Sequence, residues 1–152
     1  MARPITPSIF HLAIPATDLA QSKQFYCQCL GCNPGRETDR ALILDFYGHQ
    51  LVLHVSHEPV LPQRGIYPRH FGLVFPGVER WEAFIAGIRE RQLEFHIAPR
   101  LRFPGQLTEH WSCFLADPSA NLLEFKYYCH AEAIFGARDC PQVGDRSLSH
   151  PS

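Results

Sequence analysis

No stretch of the 152 residues approaches the ~20 consecutive apolar residues of a membrane span, which argues against an integral helical membrane protein. The opening Met1-Ala2-Arg3-Pro4-Ile5-Thr6-Pro7 also lacks the apolar core of a signal peptide, so a cytoplasmic protein is expected. There is no basic stripe to neutralise a phosphate backbone and no acidic tail. Charges of both signs are mixed to a formal net of −1, and nucleic acid is not an expected partner. The cysteines lack paired C-x-x-C knuckles. Of the six, only Cys27, Cys29 and Cys32 cluster, and they read as reduced thiols buried as small apolar residues rather than as disulfides or a zinc site.

What is present is enough for one domain. An apolar share of 45% and a charged share of 19% are ordinary for a globular chain of this length, which can bury a core without covalent staples. Ile9 to Pro15 reads as a strand. Asp18 is a suitable N-cap for a helix carrying Leu19, Phe25, Tyr26, Cys29 and Leu30, which Gly31 stops. Asn33-Pro34-Gly35 reads as a turn, and Ala41 to Phe46 and Gln50 to Val55 as strands joined through Tyr47-Gly48-His49.

The same order begins again at residue 70. His70 to Phe75 reads as a strand, and Val78, Trp81, Phe84, Ile85 and Ile88 fall at helical spacing before Glu94 to Ala98 turns extended. A displacement of 59 sets His11 on His70, Ile14 on Leu73 and Phe25 on Phe84. Near the end of each half, a displacement of 70 best matches the apolar register and sets His54 on Glu124; the excess is placed in an irregular loop around Pro99 to His110. The expected architecture is α+β. Two tandem βαβββ modules cover about 8–57 and 69–128, a linker covers 58–68, and a tail of little periodicity, expected to be loosely held, covers 129–152.

A lone inward histidine is more often a hydrogen-bonded core residue than a ligand. Repetition favours the ligand reading, because two related half-domains can bring equivalent strand positions together. Glu124 lies in the apolar run Asn121-Leu122-Leu123-Glu124-Phe125, where an ionised carboxylate requires a cation; the alternatives are a buried lysine or arginine, or an edge facing water. His11, His70 and Glu124 are therefore the candidate ligands of one divalent metal. The repeat makes His54 a candidate fourth ligand or a nearby acid or base, although a one-residue slip would put Leu53 in its place. From the long second-half loop, His110 is a candidate catalytic residue, with Trp111 and Arg102 able to reach the same cavity.

These residues carry a resemblance. His11-Leu12-Ala13-Ile14-Pro15 with Asp18-Leu19 and Phe25-Tyr26, Leu30-Gly31-Cys32, His70-Phe71-Gly72, and Asp117-Pro118-Ser119-Ala120-Asn121-Leu122-Leu123-Glu124-Phe125 resemble the vicinal oxygen chelate superfamily of glyoxalases, bleomycin resistance proteins and extradiol dioxygenases. Ala120 stands where that family commonly has glycine. The resemblance implies a U-shaped, partly open mixed β-sheet barrel with helices outside. It also implies a metal held by His11, His70 and Glu124 that chelates vicinal oxygens of a small-molecule substrate, Fe²⁺ being favoured over Zn²⁺, Ni²⁺ or Mn²⁺, and a homodimer.

The resemblance leaves three activities. The first-half glutamate of glyoxalase I is replaced by a region offering only His54 or Leu53, and Phe114 stands where extradiol enzymes often carry a tyrosine. A dioxygenase-like oxidoreductase is favoured over a glyoxalase-like lyase. A non-catalytic binding protein, with eleven phenylalanines and two tryptophans available to hold an aromatic ligand, is the third reading.

Overall fold

In the computed structural model, residues 7–144 are described. His150 and the last eight positions of the tail lie outside the described residues. The chain divides into two compact units, Met1–Val60 and Leu61–Ser152. Each holds one βαβββ module with a four-stranded mixed sheet.

In the first module, strand β1 (His11–Ala16) is followed by α1 (Leu19–Lys23), which runs on as a π-helical segment over Gln24–Cys29. Asp18 caps it as expected, its Oδ1 accepting from the Gln21 amide at 3.0 Å, and Gly31 leaves it at φ +77°, a conformation that costs a Cβ-bearing residue. Then come β2 (Asn33–Glu37), β3 (Ala41–Phe46) and β4 (His49–Val55), in the sheet order β1-β4-β3-β2 with β1 parallel to β4. The segment expected to be a turn, Asn33-Pro34-Gly35, is instead the start of an edge strand. An edge position accommodates Pro34 because one side of the strand has no ladder to donate to. The hairpin turns at Tyr47 and Gly48, both at positive φ, as the right-handed twist of a tight hairpin requires.

Pairing sorts the side chains. Ile14, Ala16, Leu42, Leu44, Leu51 and Leu53 are buried, and the buried Tyr26 ring meets Phe46 from the helix at 6.5 Å. The other face carries His11, Gln50, Val52 and His54, because paired residues share a face and alternate residues repeat it.

The second module repeats the order with β5 (Phe71–Val74), α2 (Val78–Glu90), β6 (Ile97–Arg102), β7 (His110–Ala116) and β8 (Leu122–Tyr128), arranged β5-β8-β7-β6. Trp81, Ile85 and Ile88 are buried on α2, while Phe84 lies 4.3 Å, centroid to centroid, from the fully buried Phe125. The segment expected to be an irregular loop over Pro99 to His110 is strand at both its ends, since β6 extends to Arg102 and β7 begins at His110. A bulge between Ile97 and Arg100 inserts one residue, so Ile97 pairs with Phe114 and Arg100 with Ser112 on the same face. The tail is also more ordered than its composition suggests: Ala131–Ala133 form a 3-10 turn, and Gln142 bonds the side chains of Gln106 and Thr108.

All six cysteines are free, but only Cys32 and Cys113 are buried; the other four are half-buried. Burial, reinforced by neighbouring acidic groups, pushes both buried thiols up to about 12. Among the described residues no helix is long and apolar enough to cross a membrane.

Two positions test this geometry. A Cβ on Gly72 would stand 1.7 Å from the Glu124 carbonyl oxygen, so Gly72→Ala must separate β5 from β8 and is expected to cost about 3 kcal/mol in urea unfolding. Ala120 occupies the left-handed region at φ +63°, so Ala120→Gly is expected to stabilise by ~1 kcal/mol in the same measurement.

Candidate metal centre

The face of the second sheet opposite α2 carries the chemistry. Gly72, Phe114 and Glu124 share one row across the strands; Arg100, Ser112 and Lys126 form the next; Arg102, His110 and Tyr128 form the third. Apart from Gly72, these side chains line a cavity of about 610 Å³ together with Ile66, Tyr67, His70 and parts of the segment from Ala133 to Gly144. Ile66, Phe114 and Leu122 form a buried apolar cluster beside it, with Tyr67 and Ile97 packed against them.

Glu124 is buried, with 8% of its surface exposed. Ser112 Oγ donates to its Oε1 at 2.8 Å, Lys126 Nζ lies 3.6 Å from the same oxygen, and His70 Nε2 stands 2.8 Å from Oε2. Burial alone would raise the carboxyl pKa, but the hydrogen bond to His70, the Lys126 charge and the Ser112 hydroxyl together hold it below its ordinary value. Glu124 is ionised at neutral pH.

His70 Nδ1 donates to the Ile66 carbonyl at 2.6 Å. In a neutral imidazole this fixes the proton on Nδ1 and leaves a lone pair on Nε2. A lone pair and a carboxylate oxygen cannot share a 2.8 Å contact unless a cation lies between them. A proton can fill that role: the hydrogen bond to Glu124 raises the His70 pKa against the opposing effect of burial. A divalent ion can replace the proton, since Nε2 and Oε2 are both ligand atoms and their remaining atoms are already held from behind.

His11 lies in the first module at the start of β1, exposed, with Nδ1 bonded to Gln50 Oε1 at 2.8 Å. That contact also leaves Nε2 as the outward ligand atom. Strand register corrects the alignment of the two halves. Gly72, two residues beyond His70, pairs with Glu124; Ala13, two beyond His11, pairs with Val52. Val52 therefore occupies the position of Glu124, and His54, exposed and paired with Pro15 and Ala41, occupies that of Lys126. Within each unit, among the described residues, no group of three His, Cys, Asp or Glu side chains is assembled to hold an ion; the second unit brings together the two donors His70 and Glu124.

His110 also lines this cavity, as the first residue of β7 rather than from a loop. It is buried, its Nδ1 donates to the Thr108 carbonyl at 2.9 Å, and its ring lies on Tyr128 with centroids 4.9 Å apart. Burial lowers its pKa, overcoming the carbonyl bond. His110 is thus a neutral imidazole offering Nε2 as an acceptor. Trp111 points to the other face, paired with Leu101 and Tyr127. Ser112, Lys126 and Arg100 are site residues that the sequence reading did not single out. Their signal was period-two spacing: Ser112 follows His110 by two, and Lys126 follows Glu124 by two.

The ion pair implies a pH signature for protein stripped of metal. His70, with its pKa raised, stabilises fully below its ordinary 6.5 and loses that contribution as pH rises through the folded value. Glu124, with its pKa lowered, stabilises above its ordinary 4.5 and loses it as pH falls through the folded value. The thermal midpoint of the native chain minus that of His70→Gln is therefore expected to be largest between pH 4.5 and 6.5 and to shrink on both sides. A difference independent of pH would contradict the pairing.

Comparison with known proteins agrees with this fold. Residues 8–125 match the family model of the Glyoxalase/Bleomycin resistance protein/Dioxygenase superfamily. A solved glyoxalase/bleomycin resistance protein/dioxygenase from Alicyclobacillus acidocaldarius is 40% identical, with a TM-score of 0.79 over 84% of this chain and 96% of that one. Two more distant structures share the fold. Lactoylglutathione lyase from Agrobacterium tumefaciens is 15% identical, with a TM-score of 0.61 over 80% of this chain and 94% of that one. A fosfomycin resistance protein from Listeria monocytogenes is 14% identical, with a TM-score of 0.62 over 85% and 99%. No curated protein matches the chain. On the family model and the 40% identical structure, the chain belongs to the glyoxalase/bleomycin resistance protein/dioxygenase superfamily.

Proposed function

We propose that this chain is a metal-dependent enzyme acting on a small substrate with two neighbouring oxygens, and that its chemistry is dioxygenase-like. One observation carries the reading: the 2.8 Å contact between His70 Nε2 and Glu124 Oε2, two ligand atoms whose partner atoms are occupied by Ile66 and Ser112. His11, the counterpart of His70 in the first module, is the third donor in this proposal. Two imidazoles and one carboxylate suit a divalent ion with open positions, Fe²⁺ before Zn²⁺, Ni²⁺ or Mn²⁺. When bound, that ion supplies Lewis acidity or a site for O₂.

The remaining work falls to the chain's own side chains. His110 accepts a proton from a substrate hydroxyl at Nε2, its tautomer fixed by Thr108. Lys126 and Ser112 hold Glu124 ionised and oriented. Phe114, whose ring is 5.2 Å from that of His70, provides an apolar wall where an extradiol enzyme often has a phenol, and so proton transfer is assigned to His110. His54 lies on β4 of the first module, at the register position that corresponds to Lys126 rather than Glu124, and is given no role in the proposal. The glyoxalase-like alternative is weakened by Val52, an apolar residue at the first-module equivalent of Glu124.

Metal analysis tests the reading. Protein purified without added ions, or reconstituted with Fe²⁺, is expected to hold a transition metal in fixed stoichiometry. Glu124→Gln is expected to weaken uptake by more than about tenfold while the far-UV spectrum stays unchanged. Absence of uptake under both conditions would leave a metal-free binding module. Oxygen consumption with catechols, measured against isomerisation of a hemithioacetal, separates oxygenase from lyase.

A further inference from the structure

The walls of the second-module cavity differ in how firmly they are built. One is the face of β6, β7 and β8, held in register by strand pairing. Another is the buried cluster of Ile66, Phe114 and Leu122, with Tyr67 packed against it. The third is the segment that follows β8. Ala133 to Ala137, Cys140 and Gln142 to Gly144 line the cavity, yet no side chain from Ala131 to Gly144 is buried. Phe135 and Val143 are 98% and 94% exposed, so they add almost no apolar burial to hold this wall down. A segment with few buried contacts opens at a lower free energy than the paired strands beneath it.

Polar bonds shape the segment. It leaves the sheet where the Cys129 amide donates to the Glu109 carbonyl at 3.0 Å, turns at Ala131–Ala133, and folds on itself as Gly136 donates to Glu132 and Cys140 to Ala137, each at 2.9 Å. Gln142 then ties it to the loop before β7. Thr108 Oγ1 donates to Gln142 Oε1 at 3.3 Å, and Gln142 Nε2 donates to Gln106 Oε1 at 2.5 Å. Gly144 lies so close to Tyr67 that a Cβ there would stand 2.5 Å from the phenol oxygen. The segment thus runs from the end of β8 to Tyr67, whose ring is 5.8 Å from that of His70. Thr108 links the tie to the site, since its carbonyl accepts from His110 Nδ1.

We propose that the segment from Ala133 to Gly144 is a lid over this cavity, that Gln142 is its latch, and that small molecules reach His110 when the latch opens. This rests on the cavity of the second module being the substrate site. In the arrangement described here the lid is down. Lifting it breaks the Gln142 bonds and leaves the sheet intact. A lid at this place keeps bulk water from Glu124, Ser112 and His110, all of them buried, while a substrate reacts.

The test treats the full-length, metal-free protein with diethyl pyrocarbonate, a small electrophile that must enter the cavity to acylate His110 Nε2, and follows each histidine by peptide mass spectrometry. His57 and His96, exposed and not part of the cavity lining, are the internal references. Gln142→Ala is expected to speed His110 modification about fivefold relative to them. Gly144→Ala, which acts through Tyr67 rather than Thr108, is expected to act in the same direction. A His110 rate unchanged by Gln142→Ala, or a rise matched by His57 and His96, would overturn the proposal. So would a rise confined to Gln142→Ala, which would mark loosening at Thr108 alone. Hydrogen exchange on the native chain needs no variant: the bonded amides of Gly136 and Cys140 are expected to exchange roughly tenfold or more faster than those inside β7 and β8, and equal protection would contradict a lid. Neither readout requires an ion, so a failure of metal uptake and a failure of the lid are told apart.

Discussion

An ionised carboxylate in the middle of an apolar strand constrains the whole second module. Glu124 remains charged because His70, Lys126 and Ser112 reach it from three directions, and each of the three depends on the fold for its position. Lys126 is two residues along the same strand, Ser112 comes from the adjacent strand β7, and His70 enters just ahead of β5 with its ring turned by the Ile66 carbonyl. Gly72 allows β5 to lie against the Glu124 backbone at a distance no side chain would permit. Removing any one of these contacts leaves a buried charge with less compensation, which is more costly than the contact itself is stabilising.

The same arrangement makes the site asymmetric. Glu124 and His70 form a ligand-bearing end that a proton or a metal ion completes, while Arg100 and Arg102 of β6 line the other side of the face. His110 stands between them, held neutral chiefly by burial, with the nearby Lys126 and Arg102 charges acting in the same direction. A neutral acceptor beside cations and opposite a carboxylate suits proton transfer from a hydroxyl whose developing charge those cations stabilise.

Much of this was legible in the sequence. Asp18, Gly31, the Tyr47-Gly48 turn and the α2 periodicity each marked an element by local chemistry, and the apolar setting of Glu124 pointed to a paired charge. The misalignment of the halves has a definite cause. Displacements differing by two residues put every side chain on the same face of a strand, and Leu51-Val52-Leu53 and Leu122-Leu123 are buried on both faces, so apolar matching cannot tell the two apart. Only backbone pairing places Val52, not His54, opposite Ala13 as Glu124 lies opposite Gly72. Likewise Pro34 and Pro99 read as breakers. An edge strand and a bulge accommodate them, and neither device is visible before the strands are paired.

The account's central claim is that the His70–Glu124 contact is a ligand pair occupied by a proton until an ion displaces it. Anomalous diffraction from crystals soaked in Fe²⁺ tests this most directly. An ion bound by His70 Nε2 and Glu124 Oε2 at about 2.0–2.2 Å from each, with the direct contact between those atoms opened, is the predicted result. Anomalous density elsewhere, with Nε2 and Oε2 still 2.8 Å apart, would contradict it.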